Sequence, residues 1–402
     1  MSILSDKYIL LGVSGSIAAY KAADLASRLT QAGARLDAIL TPAAEKFITP
    51  LTFQSVTGRK AFTDADLWGG EAHVLHVGLG HAADLLVIAP CTANTLAKLA
   101  HGVADNLLTI TALAARCPLL LAPAMDAGMY EHPATQENVR LLSQRGVFFA
   151  GPGEGRMASG LIGRGRMLEP VELYGHIRLV LGQRGRLAGK KIVVTAGGTQ
   201  EPLDPVRVLT NRSSGKQGYA LAQAALDAGA KVVLISTPTG LTPPVGADLR
   251  QVHTAEQMLA AVLAECAGAD ALLMAAAVAD FRPKSVAGEK LKKRDGIPQV
   301  ELDAAPDILA ALAHSASRPR CVVGFAAETR DLLENAAAKL KAKKLDLIAA
   351  NDISAPDAGF GVDTNLVTLL YADGRSEALP LMSKSEVAEV IIERLASLLE
   401  SQ

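Results

Sequence analysis

Three stretches in the first half of the chain put small residues, hydroxyls and an amide at the ends of apolar runs. Gly12-Val13-Ser14-Gly15-Ser16 closes the run Tyr8–Val13. Ala89-Pro90-Cys91-Thr92-Ala93-Asn94-Thr95 closes Ala83–Ala89. Pro123 to Tyr130, with Met125 and Asp126, follows Cys117–Ala122. Exposed amides and small hydroxyl residues at a strand-to-helix turn form an anion site. Gly12, Ser14, Gly15 and Ser16 are therefore candidates to hold a phosphate, with the Thr41 hydroxyl added from the next strand end; a tight turn that merely needs glycine is the equal alternative. The turn lacks the six-residue dinucleotide fingerprint, so a mononucleotide fits better than NAD. The small residues Ala89 and Pro90 let a planar ring approach, and Thr92, Asn94 and Thr95 offer hydrogen bonds; the plainer reading is a Pro-started helix with Thr and Asn caps. His76 is a candidate general base. His73, three residues earlier on the same expected short helix, makes a metal pair conceivable, but no Cys or carboxylate cluster completes a ligand set.

The second half carries a different chemistry. Asn211-Arg212-Ser213-Ser214-Gly215-Lys216 stands directly before a helical stretch. Amides, two serines and a lysine at a helix start make a strong phosphate site, though the P-loop spacing is absent. Ala275–Phe281 ends another apolar run and places Asp280 where it could take a base amino group or a metal-bound ligand. Lys290-Leu291-Lys292-Lys293, between Gly288 and Gly296, is either a solvated charge run or a lid whose lysine reaches a triphosphate. Lys339 and Lys343, four residues apart, share a helix face.

The elements that must position these groups alternate between short apolar runs and helical periodicity, the signature of βαβ units and parallel sheets. Strands are expected at Tyr8–Val13, Arg35–Leu40, Ala83–Ala89, Cys117–Ala122 and Gly146–Ala150. After a Gly/Arg/Gln-rich linker over Leu179–Gly189 the theme restarts, with Lys190–Thr195, Lys231–Ser236, Ala271–Ala276, Cys321–Ala326 and Leu345–Ala349. Ala196–Gln217 reads as a long loop, Gly218–Ala228 as a helix and Glu386–Leu399 as the last helix. The fold class is α/β: two tandem doubly wound Rossmann-like domains, 1–189 and 190–402. A length of 402 residues suits two domains. Net charge is -1, and residues 1–190 hold 18 Lys and Arg against 15 Asp and Glu, so neither half suits a general nucleic-acid binder or a polybasic membrane anchor. The N-terminal apolar run is too short for a signal peptide or membrane span. The cysteines Cys91, Cys117, Cys266 and Cys321 are widely spaced, as in reduced cytoplasmic proteins.

Over residues 5–175, the Gly12–Ser16 turn, His76, Ala89–Thr95, Pro123–Tyr130 and Gly160–Met167 resemble the flavin-dependent cysteine decarboxylases. The resemblance implies FMN, oxidation of a C-terminal cysteine thiol to a thioaldehyde, loss of CO2 and return of the hydride equivalent by the reduced flavin. The chain departs at two positions. Asp126 stands where the family has an asparagine that holds the substrate carboxylate, and Ser159 where the flap carries a cysteine proton donor; a serine is the poorer acid.

Thr195–Gly218, Ala275–Phe281, Lys290–Lys293 and Gly324–Thr329 resemble the phosphopantothenate–cysteine ligases over residues 190–400. This resemblance implies that CTP activates 4'-phosphopantothenate as an acyl-cytidylate, which the cysteine amine then attacks, with Mg2+ and lysines offsetting the phosphate charge. By carry-over Asn211 holds the acyl intermediate and Lys290 is the catalytic lysine. Met274, Ala275, Ala276, Asp280, Pro306, Asp307, Ile308, Leu309, Phe325, Lys339 and Lys343 line the CTP site. The order, decarboxylase then ligase, is that of the bifunctional enzymes of bacterial coenzyme A biosynthesis. It implies a homo-oligomer of trimeric flavoprotein domains and dimeric ligase domains, a dodecamer. Two alternatives stand beside it: an active ligase whose first domain binds flavin only structurally, suggested by Asp126 and Ser159, and a non-catalytic flavoprotein regulator.

Overall fold

The structure is a computed structural model and describes residues 2–68, 74–156, 160, 162–293, 297–328, 331–352, 359 and 361–401. The chain divides into two compact units, Met1–Gly182 and Gln183–Gln402.

In the first unit the strands β1 (Tyr8–Val13), β2 (Arg35–Leu40), β3 (Ala61–Phe62), β4 (Leu85–Cys91), β5 (Leu119–Pro123) and β6 (Phe148–Phe149) form a parallel sheet of order β3-β2-β1-β4-β5-β6. Every residue of β1 is buried, as expected of a strand with helices on both faces. Its side chains alternate: Ile9, Leu11 and Val13 enter one core, Tyr8 and Leu10 the other. The helix Ala19–Gln31 closes the first core with Ala19, Ala22, Leu25, Ala26 and Leu29, the spacing of one helical face. The strand order reverses between β1 and β4, and a crevice opens at their carboxyl ends. Beyond β6 the chain makes an antiparallel ribbon of β7 (Gly153–Arg156) and β8 (Ile162–Arg166).

The second unit repeats the plan. Its strands are β9 (Lys191–Ala196), β10 (Gln200–Pro202), β11 (Val208–Thr210), β12 (Lys231–Ser236), β13 (Asp248–Gln251), β14 (Ala271–Met274), β15 (Phe281–Pro283), β16 (Leu302–Ala304), β17 (Cys321–Glu328) and β18 (Leu347–Asp352). The parallel order β13-β12-β9-β14-β17-β18 matches the first unit, and antiparallel Val367–Tyr371 and Ser376–Ala378 extend it. The chain is thus two doubly wound Rossmann-like α/β units. The last helix, Lys384–Glu400, begins with a capping box: the Glu386 amide donates to Ser383 Oγ at 3.2 Å and the Ser383 amide to Glu386 Oε2 at 2.8 Å.

Two expectations need correction. Ala196–Gln217 is not all loop, because β10 and β11 pair as a hairpin. Leu179–Gly189 is not a slack linker: the helix Pro170–Gly182 takes its first part, and Leu187 is buried with its amide on the Ala228 carbonyl at 2.8 Å.

Candidate functional site

At the carboxyl ends of β1, β4 and β5 lies a cavity of about 580 Å3, lined by Gly15, Ser16, Thr41, Thr92, Asn94, Thr95 and Met125 among others. Gly15 makes it possible: a Cβ there would sit 2.5 Å from the Ala43 Cβ and 2.9 Å from the Ala43 carbonyl carbon. Thr92 caps the helix Ala93–His101, its Oγ1 accepting the Thr95 amide at 3.3 Å. Gly12 and Ser14 are not in the lining. Gly12 clears Leu108, whose Cδ1 a Cβ would meet at 2.5 Å. Ser14, 1% exposed, bolts two site loops together: its hydroxyl donates to the Pro90 carbonyl at 2.8 Å and accepts the Thr92 amide at 3.0 Å. Ala89 and Pro90 are buried within β4. The charged groups of the lining are occupied, Lys98 with Asp105 at 2.7 Å and Asp64 Oδ1 with the Leu107 amide at 2.9 Å, and the small residues and hydroxyls that remain suit a planar ring carrying a phosphate, so the residues present fit a flavin mononucleotide.

A second cavity of about 590 Å3 shares Ser16, Ala124 and Met125 with the first and adds Lys21, Asp126, Arg156 and Arg166. Asp126 caps the helix Ala127–Glu131, its Oδ1 accepting the Gly128 amide at 3.0 Å. That aims one carboxylate oxygen at the helix start. Lys21, 5% exposed, donates to the Met167 carbonyl at 3.1 Å and to Glu169 at 2.8 Å, and Arg166 joins the same Glu169 oxygen at 2.7 Å. The Lys21 ammonium holds the Glu169 carboxyl below its usual range, and Arg166 adds to it. His76 lies half-buried on the helix Leu75–Ala82 and lines neither cavity. His73 and Ser159 fall outside the described residues.

In the second unit a narrow cleft of about 60 Å3 runs between Ser213–Gly218 and the ends of β14, β17 and β18. Gly215 caps the helix Lys216–Asp227 with a φ of 78°, which favours glycine. Gly218 brings that helix onto β9: a Cβ would lie 2.5 Å from the Ala196 Cβ. Lys216 pairs with Asp363 at 2.6 Å. Asn351 and Asn365, 8% and 2% exposed, line the cleft with side-chain oxygens that have no hydrogen-bond partner among the described residues. Asn365 spends its amide on Gln217 at 2.9 Å. Lys384 is buried at the same cleft and donates to the Val362 and Gly359 carbonyls at 2.6 and 2.8 Å; burial pushes its ammonium pKa down.

Of the residues expected around CTP, Ala275 and Phe325 line this cleft. Lys339 reaches its wall through the Phe325 carbonyl at 2.9 Å. Met274 is buried in the sheet and takes the Thr195 hydroxyl at 3.3 Å, while Ala276 donates its amide to that hydroxyl at 3.1 Å. Asp307 caps the helix Ile308–Ala313 and pairs with Lys343. Burial opposes ionisation of Asp307, but Lys343 and the Ala310 amide outweigh it and hold the carboxyl below its usual range. Ile308 and Leu309 point into the core. Pro306, exposed Asp280 and exposed Lys290 are not in the cleft lining. Asn211 bridges to the strand-end loop, donating to the Ala277 and Val278 carbonyls, both at 3.2 Å. Asn351, Asn365 and Lys384 were not singled out from sequence. Asn351 carried a usable signal, a polar residue just past the apolar run Leu345–Ala349; the other two come from distant segments. Among the described residues no group of three His, Cys, Asp or Glu side chains could hold a metal ion, and no helix is long and apolar enough to cross a membrane.

Residues 2–181 match the family Flavoprotein, and residues 187–399 match the family described as DNA/pantothenate metabolism flavoprotein C-terminal domain. The Coenzyme A biosynthesis bifunctional protein CoaBC of Bacillus subtilis is 45% identical over 399 residues, covering 98% of each chain. That of Mycobacterium tuberculosis (strain ATCC 25618 / H37Rv) is 44% identical over 408 residues, covering 98% of this chain and 97% of the relative. A crystal structure of the C-terminal domain of a CoaBC protein is 40% identical, with a TM-score of 0.47, covering 54% of this chain and 100% of that one. With a flavoprotein unit and a pantothenate-metabolism unit matched in sequence along nearly the whole length, the chain belongs to the family of bifunctional coenzyme A biosynthesis proteins.

Proposed function

We propose that the chain joins cysteine to 4'-phosphopantothenate in its second unit, at the expense of CTP, and decarboxylates the phosphopantothenoylcysteine in its first, with FMN, to give 4'-phosphopantetheine. The enzyme is bifunctional, with decarboxylase and ligase activities, and a flavoprotein. The observation that supports the finer reading is that each unit keeps its own crevice at the reversal of its strand order, with different linings: hydroxyls and apolar groups beside Asp64 and a Lys98–Asp105 pair in the first, lysines and a helix start in the second.

In the first unit Gly15, Ser16 and Thr41 would hold the FMN phosphate, and Thr92, Asn94, Thr95 and Met125 the ring. When bound, FMN supplies the two-electron redox chemistry that makes loss of CO2 feasible. His76 takes the role of general base. It lines neither cavity of its own chain, so this role calls for a second copy to deliver it. Exposed Ile17 and Tyr20 at the second cavity support such self-association, the trimer of this unit. Asp126 orients the substrate end, and Ser159 is assigned the flap position. In the second unit the orphan oxygens of Asn351 and Asn365 are acceptors in need of a donor, as the amino group of cytosine is. Lys290 meets charge at the α-phosphate, and Asn211 holds the acyl-cytidylate. Mg2+ would arrive with the triphosphate, the usual mode for this ion. Exposed Val206, Val208, Phe281 and Leu302 on the two hairpins support dimeric ligase units and, with the trimers, a dodecamer. Free cysteines support a cytoplasmic location.

The test is incubation with 4'-phosphopantothenate, cysteine and CTP, following pyrophosphate, CMP and CO2 separately. Pyrophosphate and CMP followed by CO2, from a yellow protein that releases FMN on denaturation, is the expected result. Pyrophosphate without CO2, even from supplied phosphopantothenoylcysteine, would favour a ligase whose first unit binds flavin structurally.

A further inference from the structure

Residues 284–292, which carry Lys290, contain no helix or strand, so no ladder fixes where that side chain goes. What fixes the backbone is a carboxylate far away in sequence. Asp204 sits in the turn between β10 and β11 and is 2% exposed. Its Oδ1 accepts the amides of Val206 and Arg207, both at 2.8 Å, which shapes the turn. Its Oδ2 faces outward from that turn and accepts the Leu291 amide at 3.1 Å and the Arg207 Nε at 3.1 Å. The Arg207 guanidinium then donates to the Leu291 carbonyl. Both backbone polar groups of Leu291 are therefore gripped by one ion pair. A second tie lies just before, where the Ala287 amide donates to the Leu203 carbonyl at 3.1 Å. Lys290 is strung between the two ties, with its side chain exposed.

We propose that Asp204 is a positioning residue of the ligase: its carboxylate clasps Leu291 and so sets where the Lys290 ammonium meets the nucleotide. The proposal rests on the role given to Lys290 above. A buried carboxylate is costly unless its acceptor positions are filled. Here burial opposes ionisation, but the three amides and the Arg207 charge outweigh it and hold Asp204 below the usual carboxyl range. Oδ1 serves the amides of the turn, and Oδ2, besides holding Arg207 of the same turn, reaches beyond it to Leu291. The outward oxygen is used on the lysine-bearing segment.

Asp204→Asn separates these duties. The amide keeps an oxygen for Val206 and Arg207, but presents NH2 where Leu291 and Arg207 also donate. A displacement of about 1 Å at a catalytic group can cost about 100-fold in rate. Pyrophosphate release from CTP and 4'-phosphopantothenate, without cysteine, should fall by about that factor, with CTP affinity much less changed. The same substitution made on Lys290→Gln should cost no more than about 2-fold, because residues that act through one another are not additive. A full additional loss in that background would overturn the proposal, as would unchanged release by Asp204→Asn alone. Failure of Lys290→Gln itself to slow release would instead reject the role of Lys290. Should Asp204→Asn not fold, hydrogen exchange on the unaltered chain decides: the Leu291 amide should be protected relative to those of Lys290 and Lys292, and equal exchange overturns the clasp.

Discussion

In the first unit the loops around the cavity at the ends of β1, β4 and β5 are fastened mostly by uncharged groups: the Ser14 hydroxyl to Pro90 and Thr92, Thr92 to the Thr95 amide, and Asn106 to the Thr109 amide, with one ion pair in the lining, Lys98 on Asp105 at 2.7 Å. In the second unit the corresponding loops are fastened by charge: Lys216 on Asp363, Lys343 on Asp307, Arg207 on Asp204, and Lys339 on a carbonyl. Both are built on the same strand order, so the difference lies in the loops and not in the scaffold. A planar ring needs close approach and a few neutral hydrogen bonds. On the proposed function a triphosphate in the second unit would need cations, and Lys216 and Lys343 would supply them by leaving Asp363 and Asp307. The Lys216–Asp363 and Lys343–Asp307 pairs are half-exposed and therefore sensitive to ionic strength in a way the hydroxyl bolts are not.

Breaking one unit at a time tests this division. The largest effect is expected from His76→Asn, which should lower CO2 release from supplied phosphopantothenoylcysteine by about 10²–10⁴-fold, the usual worth of general acid–base help, while pyrophosphate release stays normal. Parallel loss of both activities would show that the units do not act separately. Lys290→Gln should cut pyrophosphate release by about 10²–10³-fold, as removal of a stabiliser of developing charge does, and leave CO2 release alone. Next comes Ser14→Ala, which strands the Thr92 amide, while the Pro90 carbonyl keeps the Ser14 amide at 3.2 Å. An unpaired group costs about 1–3 kcal/mol, to be read as a lower unfolding temperature of the first unit and weaker flavin retention. If flavin retention is unaffected, the bolt is not what holds those two loops.

The smallest effect is that of acid. Asp204, Asp307 and Asp363 have carboxyl pKa values depressed in the folded protein. Burial works against ionisation at Asp204 and Asp307, but backbone amides at Asp204 and Lys343 at Asp307 outweigh it; Lys216 is the main cause at Asp363. A depressed carboxyl stabilises the fold fully above its unfolded value, about 3.9, and that contribution is lost as pH falls through the lower folded value. The second unit's site loops should thus keep their exchange protection at pH 5 and begin to lose it below about pH 4. The Ser14 and Thr92 bolts have nothing to titrate. Loosening of the second unit's loops by pH 6 would mean that other groups hold them.

Much of this was legible in the residues. Tyr8–Val13, Arg35–Leu40 and Lys231–Ser236 are strands over the ranges their apolar runs indicate, because fully buried parallel strands need continuous apolar sequence. The hairpin of β10 and β11 was not: Val208–Thr210 is exposed along its length, so no burial pattern marks it. At the sites, Gly15 and Ser16 stood out for the same reason as Gly12 and Ser14, since a small residue at a strand end serves a ligand and a close-packed neighbour equally. Only the surroundings separate them: Ala43 and open space for Gly15, Leu108 for Gly12. Asn365 meets the cleft from a separate two-stranded ribbon, Thr364–Asn365 with Met382–Ser383, and Lys384 from the first position of the last helix; pairing over such sequence distance leaves no local pattern.

The two orphan amide oxygens of Asn351 and Asn365 also bear on how long the protein lasts. Each buried acceptor without a donor lowers stability by about 1–3 kcal/mol, so filling the two would stabilise the second unit. A ligand that supplies the missing donors, held at about 100 times its dissociation constant, adds about 2.7 kcal/mol by mass action. Because proteases attack opened chains in proportion to their population, a nucleotide bound there, as the proposed function has it, would also slow proteolysis of the chain.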